Sequence, residues 1–211
     1  MARKSVSSKY VRCACAALAV LLFCARSACA DPLSVLENRY PALYKLYQTY
    51  PQYRQQLSDY ADMQGFTRPY EHLATIVHEL IHIDSYVHQG FFIDGVYYAP
   101  YMKPGAWGSL TNKDVLPYLE PSIVRDEYVR NTPANNLGNI VDEMNAYGHV
   151  IGFVCDNEPD GCDRQIANGE DFLMVADKYE KHLTEDISTE AVLAEKVVYQ
   201  RLKKQISSHF R

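Results

Sequence analysis

Between Thr75 and His88 the chain reads TIVHELIHIDSYVH, and no other stretch constrains it as strongly. On a helix, His78 and His82 stand one turn apart and project from one face, the spacing at which two imidazoles bind one Zn²⁺. Glu79 follows the first histidine and can reach a water that the ion acidifies. Leu73, Ile76, Val77, Leu80, Ile81 and Val87 make the segment apolar on most sides, so the helix is predicted to be buried. A core helix with two hydrogen-bonded histidines is the plainer reading. Burying two imidazoles and a carboxylate without an ion is costly, which favours the metal.

The first thirty residues are not expected to belong to that core. Arg3, Lys4, Lys9 and Arg12 form a basic, acid-free start, Cys13 to Ala25 is apolar, and Ala28-Cys29-Ala30 is a small-residue cleavage site. The pattern is that of a secretory signal peptide cleaved after about Ala30, and it implies a secreted or periplasmic protein. Five of the 21 basic residues and none of the 26 acidic ones lie in this leader, so the remainder carries 16 basic against 26 acidic side chains, a net of −10. Such a balance argues against nucleic acid or an anionic membrane surface as partner. No later apolar run is long enough to span a bilayer. Two of the six cysteines remain, Cys155 and Cys162, and an even pair in an exported chain is expected to form a disulfide.

Residues 31–66 read as helical, with Tyr40, Tyr44 and Tyr47 along one stripe and Pro41 and Pro51 opening turns. Thr67 is the expected N-cap of the histidine helix, which runs to about Gln89 and stops at Gly90. Phe91 to Tyr98 centres on Asp94-Gly95, the strongest short hairpin signal, and its edge could receive an extended peptide. Pro104, Gly105, Pro117, Pro121 and Pro133 punctuate Tyr101 to Asn135, which predicts a long loop with short helices. A second important helix is expected over Asn136–Val154, followed by an acidic disulfide-closed loop. Two more follow, at about Glu170–Thr184 and Thr189–His209.

Two histidines leave a catalytic site incomplete, because a third protein ligand and an open position are needed. Glu143 is one candidate, on a helix where Ala146 is small enough to allow close approach to the histidine helix. Asp142, its neighbour, is the candidate if the register is displaced by one. His88 is another, through His78-Glu79-x-x-His82-x-x-Ser85-x-x-His88. Six residues of unbroken helix, however, turn His88 about 120° away from His82, and Ser85 does not break a helix as easily as glycine. His149 is the last. Tyr147, one turn beyond Glu143, or His149, could steady an oxyanion; Tyr147 is preferred because both cannot face one point.

With Glu143 as third ligand, the sequence resembles the gluzincin group of zinc metallopeptidases, in which HExxH on one helix is completed by a Glu on a second. The resemblance covers about residues 71–90 and 136–150. It implies His78, His82 and Glu143 as ligands of Zn²⁺, Glu79 as general base, and a peptide or protein substrate. Many members carry an Asp four residues after the ligand Glu, where this chain has Tyr147. The nearly metzincin-like spacing to His88, with Met102 beyond it, is the competing resemblance. The expected fold is α+β and mainly helical, a single domain over 31–211, with the active-site helix packed on the second ligand helix beside a small β-hairpin. We expect a monomeric zinc hydrolase of peptide bonds. The alternatives are a non-catalytic binding protein of similar fold and a hydrolase of a non-peptide amide.

Overall fold

The fold is described from a computed structural model that covers residues 30–182 and 187–209. Apart from Ala30, the expected leader and its cleavage site lie outside the described residues.

Prolines set the start of the first elements. Asp31 accepts from the Ser34 amide at 3.0 Å and caps α1 (Pro32–Arg39). Tyr40 breaks the helical path, and Pro41 opens α2 (Pro41–Thr49). A 3₁₀ turn over Pro51–Tyr53 leads into α3 (Arg54–Met63). The histidine helix is α4 (Pro69–His88). Its N-cap is Arg68, not Thr67, and no side chain caps it. Proline at the first helical position forces the residue before it out of the helical region, so Arg68 is extended and Pro69 has no amide to satisfy.

The end of α4 also differs in detail from expectation. Gln89, not Gly90, takes the left-handed conformation (φ 52°), and the Gly90 amide donates back to the Ser85 carbonyl at 3.1 Å. Gly90 answers a different need, since a Cβ there would lie 3.2 Å from the Tyr98 carbonyl oxygen of the hairpin. In that hairpin β1 (Phe91–Ile93) pairs antiparallel with β2 (Val96–Tyr98), in the register Ile93 to Val96. Asp94 and Gly95 both have positive φ (49° and 91°), as the tight turn between them requires.

The proline-punctuated stretch that follows holds α5 (Asn112–Val115), a 3₁₀ turn (Leu116–Tyr118) and a π-helical segment (Val124–Val129). Then comes α6 (Leu137–Asn157), opened by a capping box between Asn136 and Asn139. The expected acidic loop after it shrinks to Glu158. Helix α7 (Pro159–His182) begins eleven residues before the expected Glu170. Proline is at home in a first helical turn, and the Cys155–Cys162 disulfide joins the last turn of α6 to the first of α7, with Cα atoms 4.5 Å apart. Helix α8 (Thr189–His209) closes the chain.

Helix α6 is the centre of the packing and meets α4, α7 and α8. On one side Ala146, Val150 and Phe153 bury against Tyr70, Ala74 and Val77 of α4, with Leu36 and Leu43 beneath. On the other, Ile140, Met144 and Ile151 join Phe172, Tyr179 and Leu202, with Phe91 and Trp107 at the hairpin end. The architecture is mainly helical with one two-stranded antiparallel sheet. Among the described residues no helix is long and apolar enough to cross a membrane.

Candidate metal centre

Helices α4 and α6 bring three donors together. His78 and His82 project from one face of α4, their rings 4.8 Å apart and nearly perpendicular. Glu143 reaches them from α6, with Oε2 3.3 Å from His78 Nε2 and Oε1 3.8 Å from His82 Nε2. One donor atom from each of the three lies within 4.8 Å of the others. An ion held tetrahedrally at about 2.0–2.2 Å sets neighbouring donors roughly 3.3–3.6 Å apart. Side-chain adjustments of a fraction of an ångström to about one ångström would satisfy that geometry. The set of two imidazoles and one carboxylate is one that zinc accepts. These residues could hold a metal ion.

Asp142 is not a member of the trio. Its Oδ2 receives the Nδ1–H of His82 at 2.8 Å and the hydroxyl of Tyr101 at 3.0 Å. In a neutral ring that bond fixes the His82 tautomer and turns Nε2 toward Glu143. Burial opposes a charged His82 ring, but the Asp142 and Glu143 carboxylates outweigh it and push the ring up to about 10. Burial likewise opposes the Glu143 charge, yet His82, His78 and a hydrogen bond from Tyr128 hold its carboxyl below the ordinary value.

The other candidates stand elsewhere. Helix α4 continues unbroken through Ser85, and His88 lies near its end with Nδ1 3.1 Å from the Asp84 carbonyl and its ring stacked on Tyr97. It lines a second cleft with Asp84 and Phe92. His149 is also turned away. Its Nε2–H donates to the Phe92 carbonyl at 2.7 Å while Arg201 approaches Nδ1 at 3.4 Å, and burial together with that guanidinium pushes the ring down to about 4. The hairpin lines that second cleft too, and none of its residues lines the cleft that holds the three donors. Tyr147 does line the cleft that holds the three donors; its ring meets His78 edge-on at 5.0 Å, and its hydroxyl oxygen accepts from Asn168 at 3.1 Å.

The donors lie in a cleft of about 410 Å³, with Glu79 in its wall. Two phenols escaped the reading of the sequence. Tyr60 of α3 lines the cleft, and burial and the charges of Glu79 and Glu143 raise its pKa. Tyr128 arrives on the π-helical segment together with Glu127. Tyrosines at helical spacing are more often packing than chemistry, and a π turn has no sequence signature, so neither signal separates these two from the other tyrosines.

Compared with known proteins, the chain matches no protein family, no curated sequence and no solved structure.

Proposed function

We propose that the protein is a zinc-dependent metallopeptidase in which His78, His82 and Glu143 hold the ion and Glu79 is the general base. One observation carries the reading: the three donors converge in the wall of a cleft that also contains the carboxylate next to the first histidine. The packing of α4 on α6 is read as zincin-like on the same ground. When bound, zinc would supply a Lewis acid that polarises the scissile carbonyl and acidifies a water.

The protein groups divide the remaining work. Glu79 takes the proton of the attacking water and returns it to the leaving amine nitrogen. Tyr147, whose hydroxyl oxygen accepts from Asn168, keeps its own proton to donate to the oxyanion, and Tyr60 is the second phenol in reach of the cleft. Asp142 holds the His82 ring by Nδ1 and would leave Nε2 available to the ion. The Cys155–Cys162 disulfide supports an exported protein.

The test is zinc content and peptide hydrolysis of purified residues 31–211. About one zinc per chain is expected, lost in Glu143→Ala and kept in His88→Ala. Glu79→Gln is expected to keep zinc and lose hydrolysis. Zinc retained in Glu143→Ala but lost in His88→Ala overturns the ligand set. A zinc-loaded chain that cleaves no peptide in a broad library overturns the peptidase reading.

A further inference from the structure

We infer that the cleft selects a positively charged substrate side chain and that Glu127 is the residue that reads it, an inference that rests on the peptidase reading of the same cleft. The first ground is the balance of charge. Glu79, Glu127 and Glu143 line the cleft, and among the described residues no lysine or arginine does. A divalent ion offsets two of these three charges, and one carboxylate remains in surplus. Glu143 is spent on the ion and Glu79 on the proton, so the surplus charge free to meet a substrate is that of Glu127.

The second ground is how Glu127 is presented. Val124–Val129 is π-helical, with the Arg130 amide donating to the Arg125 carbonyl at 3.0 Å. Such turns are rare and cluster at functional sites, because the extra residue per turn re-aims the side chains that follow. Here the turn sends consecutive side chains to different tasks. Asp126 takes up both local guanidiniums, Arg125 at 2.6 Å and Arg130 at 2.8 Å. Tyr128 lines the cleft with Glu143. Glu127 is left exposed at the cleft, its carboxylate in no ion pair among the described residues. Arg164, close to Phe66 of the cleft, is paired with Glu71.

The walls suit the same ligand. Tyr60, Phe66 and Ile123 line the cleft with Glu127. A lysine or arginine side chain can lay its methylene stem on such surface and place its charge at a carboxylate. An acidic side chain would meet like charge.

The experiment uses the zinc-loaded Glu79→Gln protein, in which a bound peptide is not turned over. It is titrated with fluorescein-labelled hexapeptide pools that carry arginine, its uncharged isostere citrulline, norleucine or glutamate at one varied position at a time. At one position arginine is expected to bind about fivefold tighter than citrulline, with glutamate weakest. Adding Glu127→Gln is expected to remove the difference, and Glu127→Lys to reverse it toward glutamate, with zinc content unchanged in both. Equal binding of arginine and citrulline at every position, or a preference that survives Glu127→Gln, overturns the inference. Cleavage of the same pools by the parent protein is read separately. Cleavage without a basic preference overturns the inference and leaves the peptidase reading intact. Arginine-selective binding that depends on Glu127, without cleavage, upholds the inference and overturns the peptidase reading. Neither binding nor cleavage overturns both.

Discussion

Asp142 Oδ2 lies 2.8 Å from Nδ1 of His82, on the opposite side of the ring from the nitrogen that faces Glu143. Consecutive residues on a helix diverge by about 100°, so two adjacent carboxylates can take the two nitrogens of one imidazole. One turn of α6 therefore carries both a candidate ligand and the group that orients another.

Replacing that orienting charge tests the arrangement. Asp142→Asn keeps the size of the side chain and an acceptor for Tyr101, but it removes the carboxylate from His82. Zinc affinity is expected to fall about 10- to 100-fold, read by competition with a chromophoric chelator. An unchanged affinity would show that His82 needs no such partner.

On the metal reading, proton and metal would compete at His82. The folded protein groups raise its pKa from 6.5 to about 10. The stabilisation from the charged ring is thus fully present below pH 6.5 and is lost as pH rises through the folded value. A metal-bound ring is neutral. Calorimetry at pH 8, in buffers of different protonation enthalpy, is expected to show about one proton released per zinc. The melting temperature of metal-free protein is expected to fall from pH 7 to 10 more steeply than that of the zinc-loaded form.

His149 has the opposite sign. Its folded pKa is depressed to about 4, so the neutral buried ring contributes stability that is fully present above pH 6.5 and is lost as pH falls from there through about 4. Urea unfolding is expected to give a lower stability at pH 4.5 than at pH 7. In His149→Gln, which has no ring to protonate, that difference shrinks. An identical acid dependence in the variant would assign the loss to other groups.

Gly161→Ala probes the joint between α4 and α7. A Cβ there would stand 2.6 Å from Glu71 Oε1, and Glu71 is 1% exposed and bound to Arg164. The crowding is expected to cost about 1–3 kcal/mol in chemical denaturation. A stability equal to the parent's would mean that Glu71 can move aside.

The histidine pair and Glu79 were legible because helical spacing and burial act locally. Glu143 was legible as a candidate from Ala146, whose small side chain marks a close helix crossing, and Ala146 is indeed fully buried between α4 and α6. Glu143 was read over Asp142 only on an assumed helix register. That depends on the rotation of α6, which the packing of Val141 and Met144 against distant side chains decides. The start of α7 was hidden for a related reason: Pro159-Asp160-Gly161 has turn chemistry, and tertiary contacts overrode it. Tyr128 and Glu127 were least visible. Their placement follows from a π turn that no residue pattern announces.

All three candidate ligands come from α4 and α6, while Ile123, Glu127 and Tyr128 come from the irregular stretch between them. The two parts of the cleft are therefore expected to open separately. Amides beside His82 and Glu143 are expected to exchange with solvent only when the α4–α6 core opens, and those of the Val124–Val129 turn through smaller local openings. On the metal reading, such breathing at the Val124–Val129 turn would leave the grip on an ion intact, and ligand entry and ion loss would be separate kinetic events.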